Sequence, residues 1–402
     1  MHIKKKKLNM GMIAAVVCAL VLVLVIGYTI WEKPPAIQEE PVPTPTPVPT
    51  VTPKPAPTPA PTPTPEPLPE GEAFATERQD GVYTILLVGL DQMSMSTDTI
   101  LVGRVDTKAH EMNFVSIPRD TIINVDTDIR KINTVYPGSV AFGGNGIDAL
   151  KKQVQWLTGF PVDCWAVLDL MTFIELIDEI GGVDFDVPVE IDYYFDDIEW
   201  HLHVHLDPGY QHLDGIQAMA VCRDRQSYIA ADLQRINVQH DFLKTCMDQM
   251  ITAGNIPHAG AVIRILSENL KTNLSGGNIA WLLRQALMCK KEDIHFDTMP
   301  VDTAELQGYS YAIPRLYEWI DMINTKLNPY EDPVSQWQLN VVYCDWPGHY
   351  TGTNGLEGPW YYGLNPFTYG LDESTNSDLD EALNNGLDES LISALDELLN
   401  LQ

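Results

Sequence analysis

The chain is 402 residues long, carries a formal net charge of −30 and is 45% hydrophobic. That acidity argues against nucleic-acid binding, since affinity for a phosphate backbone needs basic patches. Its six cysteines show no CxxC spacing, so they outline no disulfide framework.

Residues 1–7 end in four lysines, and an uncharged apolar stretch then runs from Leu8 to Ile30. A bilayer core needs about 20 such residues, so a transmembrane helix is predicted over 8–31. Its length, with Tyr28 and Trp31 suited to the interface, favours an uncleaved anchor. A cleaved signal peptide would have a shorter apolar region and small residues at its end. The lysines stay cytoplasmic by the positive-inside bias. Residues 1–7 are therefore a cytoplasmic tail, and the expected location is the cell membrane, single-pass, with the remainder outside the cell. One of the six cysteines, Cys18, falls in the helix; the other five read as buried small apolar residues, with one or two bridges possible and at least one thiol free.

Residues 32–76 form a Pro/Thr-rich linker: sixteen of the 29 prolines lie between Pro34 and Glu70. Such a segment favours extended polyproline II, reaching on the order of 100 Å from the membrane.

Residues 77–332 read as one α/β domain with a central mixed β-sheet flanked by helices on both faces. Tyr83–Gly89, Thr99–Val105 and Met112–Ile117 are strand candidates, the last two joined by a polar turn. Asp148–Thr158 has helical periodicity. Ala166–Ile180 reads as a strand entering a helix that stops at Gly181-Gly182. Alternation from Val183 to Ile191 predicts a single strand. Helices are expected over Gly215–Cys222, Asp232–Met250, Ala259–Leu270 and Ile279–Cys289.

Four of the ten arginines sit in short polar runs beside aspartates: Ser116-Ile117-Pro118-Arg119-Asp120-Thr121, Arg223-Asp224-Arg225, and Asp232 through Arg235 to Gln239. Arginine presents a planar fork of donors that grips phosphate bidentately, and a nearby aspartate can hold a divalent cation against the same phosphate. Asp91 follows the first strand and Asp98 precedes the second, where ligands sit in open α/β sheets. The pattern points to phosphoryl chemistry. Neither a GxxxxGK[ST] phosphate loop nor a GxSxG nucleophile elbow occurs.

These runs, with Leu87-Val88-Gly89-Leu90-Asp91, Thr97-Asp98-Thr99-Ile100, Lys131-Ile132-Asn133, and Gly209 through Leu213-Asp214-Gly215 to Ala218, resemble the LytR-CpsA-Psr proteins of Gram-positive-type cell envelopes. The match covers roughly Tyr83 to Asn328. The resemblance implies a phosphotransferase that takes a glycopolymer, of the wall teichoic acid or capsular polysaccharide type, from a polyprenyl-pyrophosphate carrier to peptidoglycan. It also implies a magnesium (or manganese) ion and an apolar pocket for the lipid. Carried over by motif, Asp91 and Asp98 are the metal-side carboxylates. Arg119, Lys131, Arg223, Arg225, Arg235 and Gln239 hold the pyrophosphate. Asp120 and Asp232 orient the arginines, and Asp98, Arg119 and Arg223 are the catalytic candidates, with Asp98 a candidate base. The resemblance leaves a pyrophosphatase or a non-catalytic envelope-binding relative as alternatives.

The chain departs from the family pattern at three positions. Ser96 stands where an arginine is common, Val238 where a second arginine is common, and Val221 where a tyrosine is common. Arg104, on a neighbouring strand, is a candidate replacement cation.

His201, His203 and His205 alternate with Asp207 in line, which reads as a solvent-facing strand, with zinc binding the lesser alternative. Beyond the domain, residues 333–402 form an extension, first aromatic and then acidic. The aromatic stretch reads as wrapping the domain surface, and Leu391, Ile392, Leu395, Leu398 and Leu399 repeat at helical spacing.

Overall fold

The backbone follows the expected alternation of apolar strands and helices. The computed structural model describes residues 33–37, 77–91, 95–125, 127–195, 202–224, 227, 231–251, 259–346 and 349–353. The transmembrane segment at 8–31, most of the linker and residues 354–402 lie outside these, as do Arg225, His201 and the side chain of Asp232. Among the described residues no helix is long and apolar enough to cross a membrane.

In chain order the strands are β1 (Val82–Leu90), β2 (Thr97–Asp106), β3 (Glu111–Ser116), β4 (Cys164–Asp169), β5 (Val183–Val187), β6 (Ile191–Phe195) and β7 (Leu202–Leu206). There follow β8 (Gly209–Leu213), β9 (Lys271–Thr272), β10 (Ile294–Thr298), β11 (Val301–Leu306), β12 (Tyr309–Pro314), β13 (Val342–Trp346) and β14 (His349–Gly352). The class is α/β, with a central mixed sheet and flanking helices. The chain divides into two compact units. Of the described residues, one gathers 33–37, Ala109–Met112 and those between Cys164 and Ile294; the other gathers those between 77 and 108, Asn113–Asp163 and those between 295 and 353.

In the second unit, β1 and β2 pair antiparallel from Val82↔Asp106 to Val88↔Ile100, with an irregularity at Gly89/Leu90. Leu86, Val102 and Val115 are wholly buried along these strands, which is why they read as apolar runs. The helix Gly146–Thr158 starts where the Asn145 side chain accepts the Ile147 N–H. It stops at Gly159, whose φ of +84° suits glycine and whose Cβ would lie 2.7 Å from Val334. Val334, Leu339, Val341 and Val342 are buried, so residues 334–342 are built into this unit. The helix Val135–Ala141 has no clear sequence signal, because Pro137 and Gly138 lie in it. Proline is tolerated there since the first turn has no N–H partner to lose.

In the first unit, a core of Ile174, Ile177, Phe185, Phe195, Leu213, Val221 and Phe242 gathers helices Leu170–Glu179, Gly215–Arg223, Ala231–Ile251 and Ala259–Asn269 around two strand pairs. The single strand expected over 183–191 is corrected here. Val183–Val187 pairs with β8, whereas Ile191–Phe195 pairs with β7. Pro188 stands between them, and proline cannot donate to a ladder.

Candidate functional site

In the second unit the segment after β3 turns sharply, with the Thr121 hydroxyl donating to the Pro118 carbonyl at 2.6 Å. This turn carries Arg119 and Asp120. Backbone bonds from Ile123 N–H to Arg130 O (2.9 Å) and from Ile132 N–H to Thr121 O (3.0 Å) fold residues 130–132 alongside it, bringing in Lys131. On the other side β12 clamps the same segment, with Ala312 N–H to Asp120 O at 2.9 Å and Ile122 N–H to Ala312 O at 3.0 Å.

The charged side chains form a chain of alternating sign. Arg119 Nη1 donates to Asp98 Oδ1 at 2.5 Å, and Arg119 Nε lies 3.7 Å from Asp120 Oδ1. Lys131 Nζ lies 3.1 Å from the same Asp120 oxygen. The side chains of Arg119, Asp98, Asp120 and Lys131 are 8%, 22%, 30% and 18% exposed, so the pairs are half-buried and only partly screened. Asn133 Nδ2 donates to Ser96 Oγ at 3.3 Å, and Ser96 Oγ lies 3.5 Å from Asp98 Oδ1. The Asp91 N–H donates to Ser96 O at 3.0 Å, so Asp91 and the start of β2 are tied together. Two carboxylates hold a guanidinium and an ammonium in place, so the donors of both cations are preorganised.

In the first unit the helix Gly215–Arg223 is set by its N-terminus. Asp214 caps it reciprocally with Gln217. Gly215 approaches helix Leu170–Glu179 so closely that a Cβ would lie 2.4 Å from Ile174 O, and its N–H donates to Asp178 Oδ1 at 2.8 Å. The Leu213-Asp214-Gly215 and Ala218 motif is therefore architectural: a core residue, a cap, a close approach and a second core residue. It delivers Arg223 at the helix C-terminus, with its guanidinium 5.9 Å from the centre of the Tyr193 ring. On the following helix Gln239 Nε2 donates to Cys222 O at 2.8 Å, and Arg235 is 1% exposed. Burial pushes the Cys222 thiol up to about 12, against the pull of the Arg235 charge.

Of the expected site residues, Asp98, Arg119, Asp120 and Lys131 come together in the second unit, with Asp91 bonded to Ser96 beside them. Arg223, Arg235 and Gln239 lie around Cys222 and Tyr193 in the first. Ser96, in place of an arginine, joins Asn133 to Asp98. Val221 and Val238 are both buried in the first unit's core. Arg104 is engaged elsewhere, bonding Gln79 and Asp106 at 2.9 Å each. Tyr311 and Tyr193 carried no sequence signal, because each meets its cation across a long stretch of chain.

On the β6–β7 hairpin the Asp192 carboxylate contacts His203, and His205 Nδ1 lies 3.7 Å from it. The His203 hydrogen bond holds the Asp192 carboxyl below the usual carboxylate range. No group of three or more metal-ligating side chains occurs among the described residues.

The family model described as the LytR_cpsA_psr family matches residues 62–327. The chain is similar to a polyisoprenyl-teichoic acid–peptidoglycan teichoic acid transferase, TagV, of Bacillus subtilis (strain 168), at 26% identity over 231 residues. That match covers 56% of this chain and 56% of that protein. It is also similar to the transferase TagU of Oceanobacillus iheyensis, at 24% identity, covering 68% of this chain and 77% of that one. The chain thus spans little more than half the length of the first of these relatives. The crystal structure of B. subtilis TagV superposes with a TM-score of 0.52 at 25% identity, covering 61% of this chain and 96% of that one.

Proposed function

Because this chain belongs to the LytR-CpsA-Psr family, whose model matches most of the described region, we propose that it is a membrane-anchored phosphotransferase. It moves a glycopolymer of the wall teichoic acid or capsular polysaccharide type from a polyprenyl-pyrophosphate carrier to peptidoglycan. The observation that carries this reading is the Asp98–Arg119–Asp120–Lys131 chain, built from the residues of three family motifs.

In the proposed reaction an acceptor hydroxyl oxygen attacks the polymer-side phosphorus, the bond to the bridging oxygen breaks, and polyprenyl monophosphate leaves. Negative charge then grows on the phosphate oxygens. Arg119 and Lys131 face that charge with donors already oriented by Asp98 and Asp120, so little reorganisation accompanies the step. Arg223, Arg225, Arg235 and Gln239 carry the same assignment through the motifs they occupy. Asp98 is the candidate acceptor of the hydroxyl proton.

Magnesium is ordinarily held by one or two carboxylates with substrate phosphates and water, and Asp91 and Asp98 are the carboxylates that would hold it here. Bound there, it would neutralise charge on the phosphate oxygens.

The test is transfer of a labelled glycopolymer from its polyprenyl-pyrophosphate carrier to peptidoglycan by the full chain. Transfer that falls at least a hundredfold in Arg223→Ala, with the fold retained, is expected. Wild-type transfer by that variant would contradict the assignment. Release of carrier phosphate without acceptor would instead identify a pyrophosphatase.

A further inference from the structure

Lys131 has two partners: the Asp120 carboxylate at 3.1 Å and the face of the Tyr311 ring, 5.8 Å from Nζ to the ring centre. Tyr311 lies on β12, is 3% exposed, and packs among Ile122, Ile313 and Val342. Its hydroxyl oxygen accepts the N–H of Arg130, the residue before Lys131, at 3.2 Å. One buried side chain therefore fixes both the backbone entering Lys131 and the direction of its ammonium. The backbone bonds of Ala312 to Asp120 and Ile122 fix the other partner of that ammonium from the same strand.

We propose that Tyr311 is a positioning residue for Lys131, its ring holding the ammonium toward Asp120 so that it meets an incoming phosphate without reordering. This rests on the reading of Lys131 as a phosphate ligand. The side chain of a lysine has four rotatable bonds, and immobilising it on binding costs affinity. A ring face that attracts the cation removes much of that cost beforehand, and the attraction strengthens where water is partly excluded.

The test uses the full chain and a short, water-soluble polyprenyl pyrophosphate at constant magnesium concentration. Tyr311→Phe keeps the ring and removes the acceptor of the Arg130 N–H, so its Kd is the reference from which the ring's own effect is read. Successive fluorination of that phenylalanine drains charge from the ring face at nearly constant shape. Kd should then rise stepwise, by about five- to tenfold in all. In a Lys131→Met background the same series should be flat. A Kd that ignores fluorination, or that rises equally in both backgrounds, overturns the positioning role and leaves the phosphate reading intact. If Lys131→Met itself binds like the wild type, that reading falls, and the positioning role falls with it. A merely structural ring would change thermal stability across the series and leave the affinity of folded protein unmoved.

Discussion

Replacing Arg119 by alanine removes a guanidinium that is 8% exposed, bonded to Asp98 at 2.5 Å and 3.7 Å from Asp120. Breaking a wholly buried pair costs about 3–5 kcal/mol, because a bare charge is left in a poor dielectric. Here Asp98 and Asp120 keep 22% and 30% of their exposure, Ser96 Oγ lies 3.5 Å from Asp98, and Lys131 still neutralises Asp120. Water and these neighbours take up much of the loss, leaving a cost of about 1–3 kcal/mol. For a domain of this size that lowers Tm by about 2–12 °C. Transfer should suffer far more, about 100- to 1,000-fold, as when one preorganised donor is taken from a developing oxyanion. Circular dichroism measures the first quantity, and glycopolymer transfer at a temperature well below Tm measures the second. Arg119→Lys keeps a charge and loses the fork, so it should restore stability more fully than rate. A folded Arg119→Ala protein whose transfer stays within threefold of wild type would refute the reasoning.

Gly215→Ala places a methyl 2.4 Å from the Ile174 carbonyl, so the helix must shift; urea titration should show a loss of about 1–3 kcal/mol, and an unchanged midpoint would deny the close approach. Burial raises the Cys222 thiol to about 12 and also raises Cys246, while Cys344 is exposed. Iodoacetamide on native protein near pH 8 should therefore label Cys344 and spare the other two, read by peptide mass spectrometry. Asp192 titrates below its ordinary value of 3.8 through the His203 hydrogen bond, so the bond stabilises the fold above that value and is lost as pH falls through the lowered one. The small Tm deficit of His203→Ala should be present near pH 5 and fade as pH falls below 3.8; a deficit that does not fade on acidification would point to ring stacking with Tyr194 instead.

Short-range signals in the sequence were enough for most elements. The apolar runs of β1 to β3, the Gly181-Gly182 stop, the Asp214 cap and the periodicity of Ala231–Ile251 each operate within a turn or two of chain, so spacing alone exposes them. The clustering of arginine with aspartate likewise marks Arg119, Asp120 and Arg223 as site candidates in the sequence itself. Tertiary structure alone decided which acid holds which base, since Asp98 and Arg119 meet across two strands and Lys131 reaches Asp120 only because residues 130–132 fold back. It also decided that 183–191 divides at Pro188 between two partners, and that Tyr311, 180 positions from Lys131, lies beneath its ammonium. Pairing and packing of that kind depend on contacts between distant segments, which no local pattern encodes.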